Sequence, residues 1–232
     1  MDANRAEHHI NMEEIAGGWH KQDVAKAQRD LVIKELSNAE QVLPFAAFMR
    51  AMDIIRLTGG TLLDIGCGCG HYGVLCERLY PGIHYHGTDV SAAMIAEAKQ
   101  LAPLGRFRVC EFNDNEFGTF DIVLISQVVE TMDDPPAMLK LALDNVARYV
   151  ILNRIRITDK ESHRIEETTY CGNIGQDWLW NMEEIEAIIA QYGKVLDRSI
   201  WDNENQATFV IERVEDGEPT IRSCCGDSCA CS

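Results

Sequence analysis

Apolar and polar positions along the chain fall into three zones. In residues 24–36, apolar side chains stand at Val24, Ala27 and Leu31 and then at about every third or fourth place. Phe45, Phe48, Met49, Met52 and Ile55 repeat that spacing. The period predicts two helices, the second ended by Gly59-Gly60. From Thr61 the pattern changes to short apolar runs alternating with helical ones. Strands are predicted over 61–65, 84–88, 107–112, 120–126 and 149–157. Phe120 to Ser126 (FDIVLIS) is apolar enough to be buried on both faces. Helices are predicted over 71–80, over 92–100 behind a Ser91 cap, and from Asp134-Pro135-Pro136, where the Asp caps and a Pro occupies the first turn. Asn181 with Glu184 resembles a capping box for a helix to Gln191, and Gly193 stops it. Residues 194–201 and 207–214 read as a final strand pair. The short turn between them makes them antiparallel to one another.

Alternating strands and helices imply an α/β protein, a parallel sheet wrapped by helices on both faces. Ligands of such sheets sit beyond the carboxyl ends of the strands. The expected organisation is an N-terminal helical lid over 1–58, a ligand-binding domain over 59–214 and a flexible Cys-rich tail over 215–232. No internal repeat is present.

Composition narrows the functional classes. The 232 residues carry 21 Lys+Arg against 37 Asp+Glu, a formal charge of −16. That sign repels nucleic acid at long range, and no nucleic-acid partner is expected. No apolar run approaches the roughly 20 residues that span a bilayer, so no membrane partner is expected either. The polar N-terminus lacks a secretory pattern. With nine Cys, an odd number, the expectation is a reducing cytoplasm and no disulfide scaffold.

Candidate chemistry begins at Leu62-Leu63-Asp64-Ile65-Gly66-Cys67-Gly68-Cys69-Gly70. Three alternating glycines directly after an apolar strand let the main chain turn tightly and let a ligand approach it without meeting a Cβ. The spacing is neither the dinucleotide fingerprint nor a phosphate-binding loop. A plain structural turn is the alternative. Gly87-Thr88-Asp89-Val90-Ser91 then puts an acid at the carboxyl end of the next strand, 19 residues beyond Gly70. There a carboxylate can accept both hydroxyls of a ribose. The bland alternative for Asp89 is a helix cap.

At these motifs the chain resembles class I S-adenosylmethionine-dependent methyltransferases, in particular their small-molecule branch. The likeness covers about residues 60–214 and includes LLDIGCGCG, HGTDVSAAMIAEAK and FDIVLISQVVETMDDPPAMLKLAL. It implies a Rossmann-like seven-stranded, mostly parallel sheet with an antiparallel final strand and an N-terminal helical lid. It also implies S-adenosylmethionine as cofactor, S-adenosylhomocysteine as product and a small-molecule acceptor. By resemblance, Gly66, Gly68 and Gly70 lie under the methionine moiety, whose amino group Asp64 helps orient. Asp89 holds the ribose and Val90 packs on the adenine. Glu111, with Asn113 as runner-up, meets the adenine amino group. Ser126 and Gln127 open towards the transferred methyl group. Where relatives often carry a His two residues after the second Val, this chain has Glu130-Thr131.

Methyl transfer from a sulfonium needs mainly proximity and alignment, with a base only for some acceptors. Trp19 and His20, before the first helix, and His163, Tyr170, Trp178 and Trp180, between the fifth strand and the next helix, are candidates for the acceptor side. His20, His163 and Tyr170 are the candidate catalytic groups. Core packing is the alternative for the aromatics. Four thiols in the tail, Cys224, Cys225, Cys229 and Cys231, could together wrap a soft metal ion or metalloid, although their spacing is not that of a zinc finger. An oxidisable terminus without a ligand is the alternative. Two competing functions follow. One is a metalloid methyltransferase that uses these thiols, with Cys171 near the acceptor pocket. The other is an inactive metal-binding or regulatory protein retaining the fold. Cys67 and Cys69 read as small residues filling the glycine motif.

Overall fold

The apolar runs become the centre of one sheet. The computed structural model describes residues 20–168, 174–201 and 205–214. The first two helices among the described residues are α1 (Gln22–Leu36) and α2 (Leu43–Ile55). Arg56, in the left-handed region at φ 55°, ends α2 ahead of the predicted Gly59-Gly60 stop. Five parallel strands follow: β1 (Gly60–Ile65), β2 (Ile83–Asp89), β3 (Arg106–Val109), β4 (Ile122–Ser126) and β5 (Tyr149–Thr158). Between them run α3 (His71–Leu79), α4 (Ala92–Leu101) and α5 (Pro135–Asn145). The caps are those the sequence specifies. Ser91 Oγ accepts the Met94 N–H, and the Asp134 side chain accepts the Ala137 N–H.

The strands lie in the order β3-β2-β1-β4-β5. The sheet is completed by β8 (Gly193–Trp201) and β9 (Gln206–Arg213), which follow α6 (Met182–Ile189). β9 is antiparallel to both β5 and β8, so the expected seven strands with an antiparallel final strand are present, within a sheet of nine. Period-2 burial divides the core. Leu62, Ile122, Leu124, Ile151 and Val210 face α2 and α3, whereas Leu63, Val123, Ile125, Val150 and Leu152 face α5 and α6.

Two expectations need correction. The third strand ends at Val109, not 112. The Asn115 side chain donates to the carbonyls of Glu111 (3.0 Å) and Phe112 (2.8 Å), holding the chain in a turn there. The segment between β5 and α6 is no plain connection. It contains β6 (His163–Thr168) and β7 (Ile174–Asn181), an antiparallel hairpin. β4 pairs with β5 only as far as Asn153, and β7 takes up the same strand further on, through Ile157↔Trp180 and Thr158↔Asn181. The hairpin therefore stands beyond the carboxyl end of β4. The switch occurs at a register shift between Leu152 and Ile155, where Arg154 is left-handed at φ 60°.

Candidate active site

The turn after β1 requires glycine for two reasons. Gly66 (φ +72°) and Gly68 (φ +52°) occupy the left-handed region. A Cβ on Gly66 would also stand 2.3 Å from Val128 Cγ2. The loop is clamped to the end of β2. The N–H groups of Gly66 and Cys67 both donate to Thr88 O, at 2.8 and 2.9 Å. Gly68 N–H donates to Asp89 Oδ2 at 2.9 Å, and Ser91 N–H to Asp89 Oδ1 at 2.8 Å. Ser91, not Asp89, is the helix cap. Burial raises the Asp89 carboxyl, against the pull of the Ser91 and Gly68 amides and of His20.

Asp64 is fully buried in β1 and accepts a 2.5 Å hydrogen bond from Tyr85 OH, while its Oδ1 has no partner. Desolvation pushes its carboxyl up to about 8 despite the Tyr85 hydrogen bond, and the Asp89 charge adds to the rise. Val90 is half-buried after Asp89. Glu111 and Asn113 are exposed on the turn after β3. The buried polar group of that turn is Asn115, whose Oδ1 accepts from Thr88 Oγ1 at 3.0 Å. Nothing in the sequence separates Asn115 from its polar neighbours.

Helix α1 lies across the glycine loop. Cys69 Sγ donates to Ala25 O at 3.3 Å, and a Cβ on Gly68 would stand 3.3 Å from Gln28 Nε2. Gln22 Nε2 and Arg29 Nη1 donate to the two oxygens of Glu97 at 2.8 and 2.9 Å, fixing α1 to α4. Glu97 is buried, although the helical pattern around it reads as an ordinary charged position.

Beyond β4 and β5 the polar groups are of two kinds. One set is satisfied. Asn153 Nδ2 donates to Tyr72 OH (2.7 Å) and Pro44 O (3.1 Å), and Asn153 Oδ1 accepts from Thr208 Oγ1 (2.7 Å). Tyr72 OH and Ser126 Oγ share a 3.0 Å hydrogen bond. The other set has buried atoms without hydrogen-bond partners: His71 Nδ1, both oxygens of Glu130, Arg154 Nε, Arg164 Nη1 and the indole nitrogens of Trp178 and Trp180. Desolvation, with the Arg154 charge, drives the His71 imidazole down to about 3, so it is neutral. Gln127 beside them is left-handed at φ 54°. Arg156 Nη1 and Asp177 Oδ2 pair at 2.7 Å. Arg164 Nη2 donates to the carbonyls of Met132 and Asp133 at 2.7 and 2.9 Å, tying the hairpin to the turn after β4.

The structure thus brings Asp64, Gly66, Gly68, Gly70, Asp89 and Val90 to the carboxyl ends of β1 and β2, and Ser126 to that of β4. His163 opens β6, on the hairpin beyond β4. His163 Nδ1 is engaged with Glu161 O at 2.7 Å, because the start of β6 closes its own turn. Trp19, Tyr170, Cys171 and the tail thiols Cys224, Cys225, Cys229 and Cys231 lie outside the described residues. Among the described residues, no group of three or more His, Cys, Asp or Glu could hold a metal ion. No described helix is long and apolar enough to cross a membrane.

Residues 63–149 match the methyltransferase domain family. The whole fold is similar to magnesium protoporphyrin IX methyltransferase from Synechocystis PCC 6803, solved with bound S-adenosylmethionine. That pair is 16% identical over 90% of this chain and 98% of the other, with a TM-score of 0.61. A methyltransferase solved with the Haloferax volcanii Trm112 activator is 14% identical over 85% and 99% of the two chains, also at 0.61. The amino pentose methyltransferase CalS10 from Micromonospora echinaspora is 19% identical over 91% and 100%, at 0.54. Comparison with curated protein sequences returned no match. The fold is that of the class I S-adenosylmethionine-dependent methyltransferases.

Proposed function

We propose that the protein transfers the methyl group of S-adenosylmethionine to a small-molecule acceptor and releases S-adenosylhomocysteine. The observation that carries this reading is the clamp of Asp89 on the Gly68 amide, under α1 and at the carboxyl ends of β1 and β2. The residues fit the cofactor. The glycine loop offers main chain where a Cβ would intrude, and Asp64 Oδ1 is a buried acceptor without a donor. Asp64 would take the amino group of the methionine moiety and Asp89 the ribose hydroxyls. Val90 would pack on the adenine, and the exposed turn at Glu111 and Asn113 would close its edge. When bound, the cofactor supplies a methyl group already activated on a sulfonium. The chain's own part is to bind, align and exclude water, with α1 as a cover.

Two of the structural neighbours named above are named for small-molecule acceptors, magnesium protoporphyrin IX and an amino pentose, which supports the small-molecule class. Calorimetry with S-adenosylhomocysteine tests the cofactor site. Asp89→Ala should weaken binding by about 1–3 kcal/mol, and Gly68→Val should abolish it. Unchanged affinity in both would overturn the placement. Transfer of labelled methyl to members of a metabolite panel tests turnover.

A further inference from the structure

The orphaned carboxylate of Glu130 is the least explained group in the molecule. Glu130 lies in the 3-10 turn Val129–Thr131, four residues beyond Ser126, and is 0% exposed. Two residues earlier, Val128 packs against Gly66 of the glycine loop. The same turn packs against β7 of the hairpin that stands beyond β4. The turn that carries Glu130 therefore lies beside both the glycine loop and the hairpin. A buried carboxylate with neither oxygen hydrogen-bonded is strongly disfavoured unless a guest completes it.

The neighbours define its chemistry. From β5, Arg154 faces it with an Nε that has no partner. From β7 comes Asp177, itself paired with Arg156. Arg164 of β6 binds the carbonyls of the following residues, Met132 and Asp133. α5 turns Pro135, Leu139, Ala142 and Leu143 inward, all apolar.

Resting on the methyltransferase reading, we propose that Glu130 receives the proton of the acceptor's nucleophile, so that the acceptor is a protic nucleophile, an amine or a hydroxyl compound. The lone pair of the acceptor nitrogen or oxygen forms the new bond to the methyl carbon. The carbon–sulfur bond breaks and its electron pair stays on sulfur. The proton displaced from the acceptor passes to a Glu130 oxygen, and water later removes it. Burial pushes the Glu130 carboxyl up to about 8. The backbone N–H groups of Glu130 and Arg156 approach without hydrogen-bonding geometry and pull it down, as does Arg154, while Asp177 raises it. A carboxylate so placed binds a proton more tightly than an exposed one, and acts as a base in the fraction that is ionised, which grows as pH rises towards 8. Arg154 offsets the charge when the proton leaves.

The test needs no knowledge of the acceptor. Sinefungin carries an ammonium-bearing carbon in place of the methylated sulfur, so its charge lies where the methyl group would be presented. S-adenosylhomocysteine has the same two ends and no such charge. The ratio of their dissociation constants therefore reports Glu130 and cancels Asp64 and Asp89. In wild type, sinefungin should gain about tenfold over S-adenosylhomocysteine as pH rises from 6.5 to 9. In Glu130→Gln the ratio should stay flat, with S-adenosylhomocysteine binding unchanged. A ratio with the same pH course in both proteins overturns the proposal. If Glu130→Gln does not fold, proton release on sinefungin binding to wild type decides instead. Measured in two buffers of different ionisation enthalpy near pH 7.5, it should exceed the release with S-adenosylhomocysteine by a substantial fraction of a proton. Equal release overturns the proposal. Failure of wild type to bind S-adenosylhomocysteine at all would instead remove the underlying methyltransferase reading.

Discussion

Single residues set two measurable properties. Asp64 and Glu130 are both fully buried and hold their protons to about pH 8. The same groups release them near pH 4 in an unfolded chain. Folding therefore binds protons between those values, and the contribution of these groups, full below pH 4, is lost as pH rises to 8. Melting temperature should fall between pH 5 and 8.5, and fall less in Asp64→Asn, whose amide oxygen still accepts from Tyr85. Parallel melting curves for the two proteins would contradict this. Gly66 sets the second property. Gly66→Ala combines a left-handed φ with a Cβ driven into Val128 and should cost about 1–3 kcal/mol in denaturant unfolding. Adding Val128→Ala should recover the overlap but not the backbone strain. Neither acid's burial is legible in the sequence. Asp64 is an expected member of the β1 motif, but its depth comes from Tyr85 on the next strand. Glu130 reads as an ordinary polar residue after β4 until the hairpin covers it.

At the scale of elements, α1 is held by Glu97, a carboxylate on α4 that Gln22 and Arg29 share. Arg29→Ala leaves a buried charge with a single amide partner and should cost about 1–3 kcal/mol, less than a wholly buried pair because Arg29 is partly exposed. Hydrogen exchange over 22–36 should quicken in that variant and slow in wild type when S-adenosylhomocysteine is added. Exchange indifferent to both would end the reading of α1 as a cover. The central strands were legible because their apolar runs are continuous, as in Ile122–Ser126, and because glycine or a capped helix follows each of them. The hairpin was not. In Ile174–Asn181 the pattern places Asp177 at a buried position, where period-2 reading expects an apolar residue, and its ion pair with Arg156 and the hydrogen bond it accepts from the Trp178 N–H make that position tolerable. The shortened β3 has a similar cause. Its end is set by the Asn115 side chain, a tertiary hydrogen-bonding choice that propensity does not contain.

For the whole molecule, the last strand among the described residues ends at Arg213. A chain ending at Val214 should fold, melt within about 2 °C of the full chain and bind S-adenosylhomocysteine equally, since 1 kcal/mol moves a domain of this size by roughly 2–4 °C. A larger drop would show that residues 215–232 belong to the fold. Mass spectrometry of both forms with Zn(II), Cu(I) and As(III) under reducing conditions would test the tail thiols as a soft-ion site, and equal uptake would remove them from that role. The sheet has a further property that follows from β5. One half of that strand is locked between β4 and β9, while beyond the bulge at Arg154 it meets β7 through only two register pairs. The Asp89 clamp on the glycine loop and the hairpin are thus written in separate stretches of chain joined at a narrow splice. Substitution or insertion in 159–180 leaves the strands that carry the glycine loop and Asp89 untouched. Under the proposed function, such a layout would let a lineage exchange one acceptor for another while inheriting the same methyl donor site.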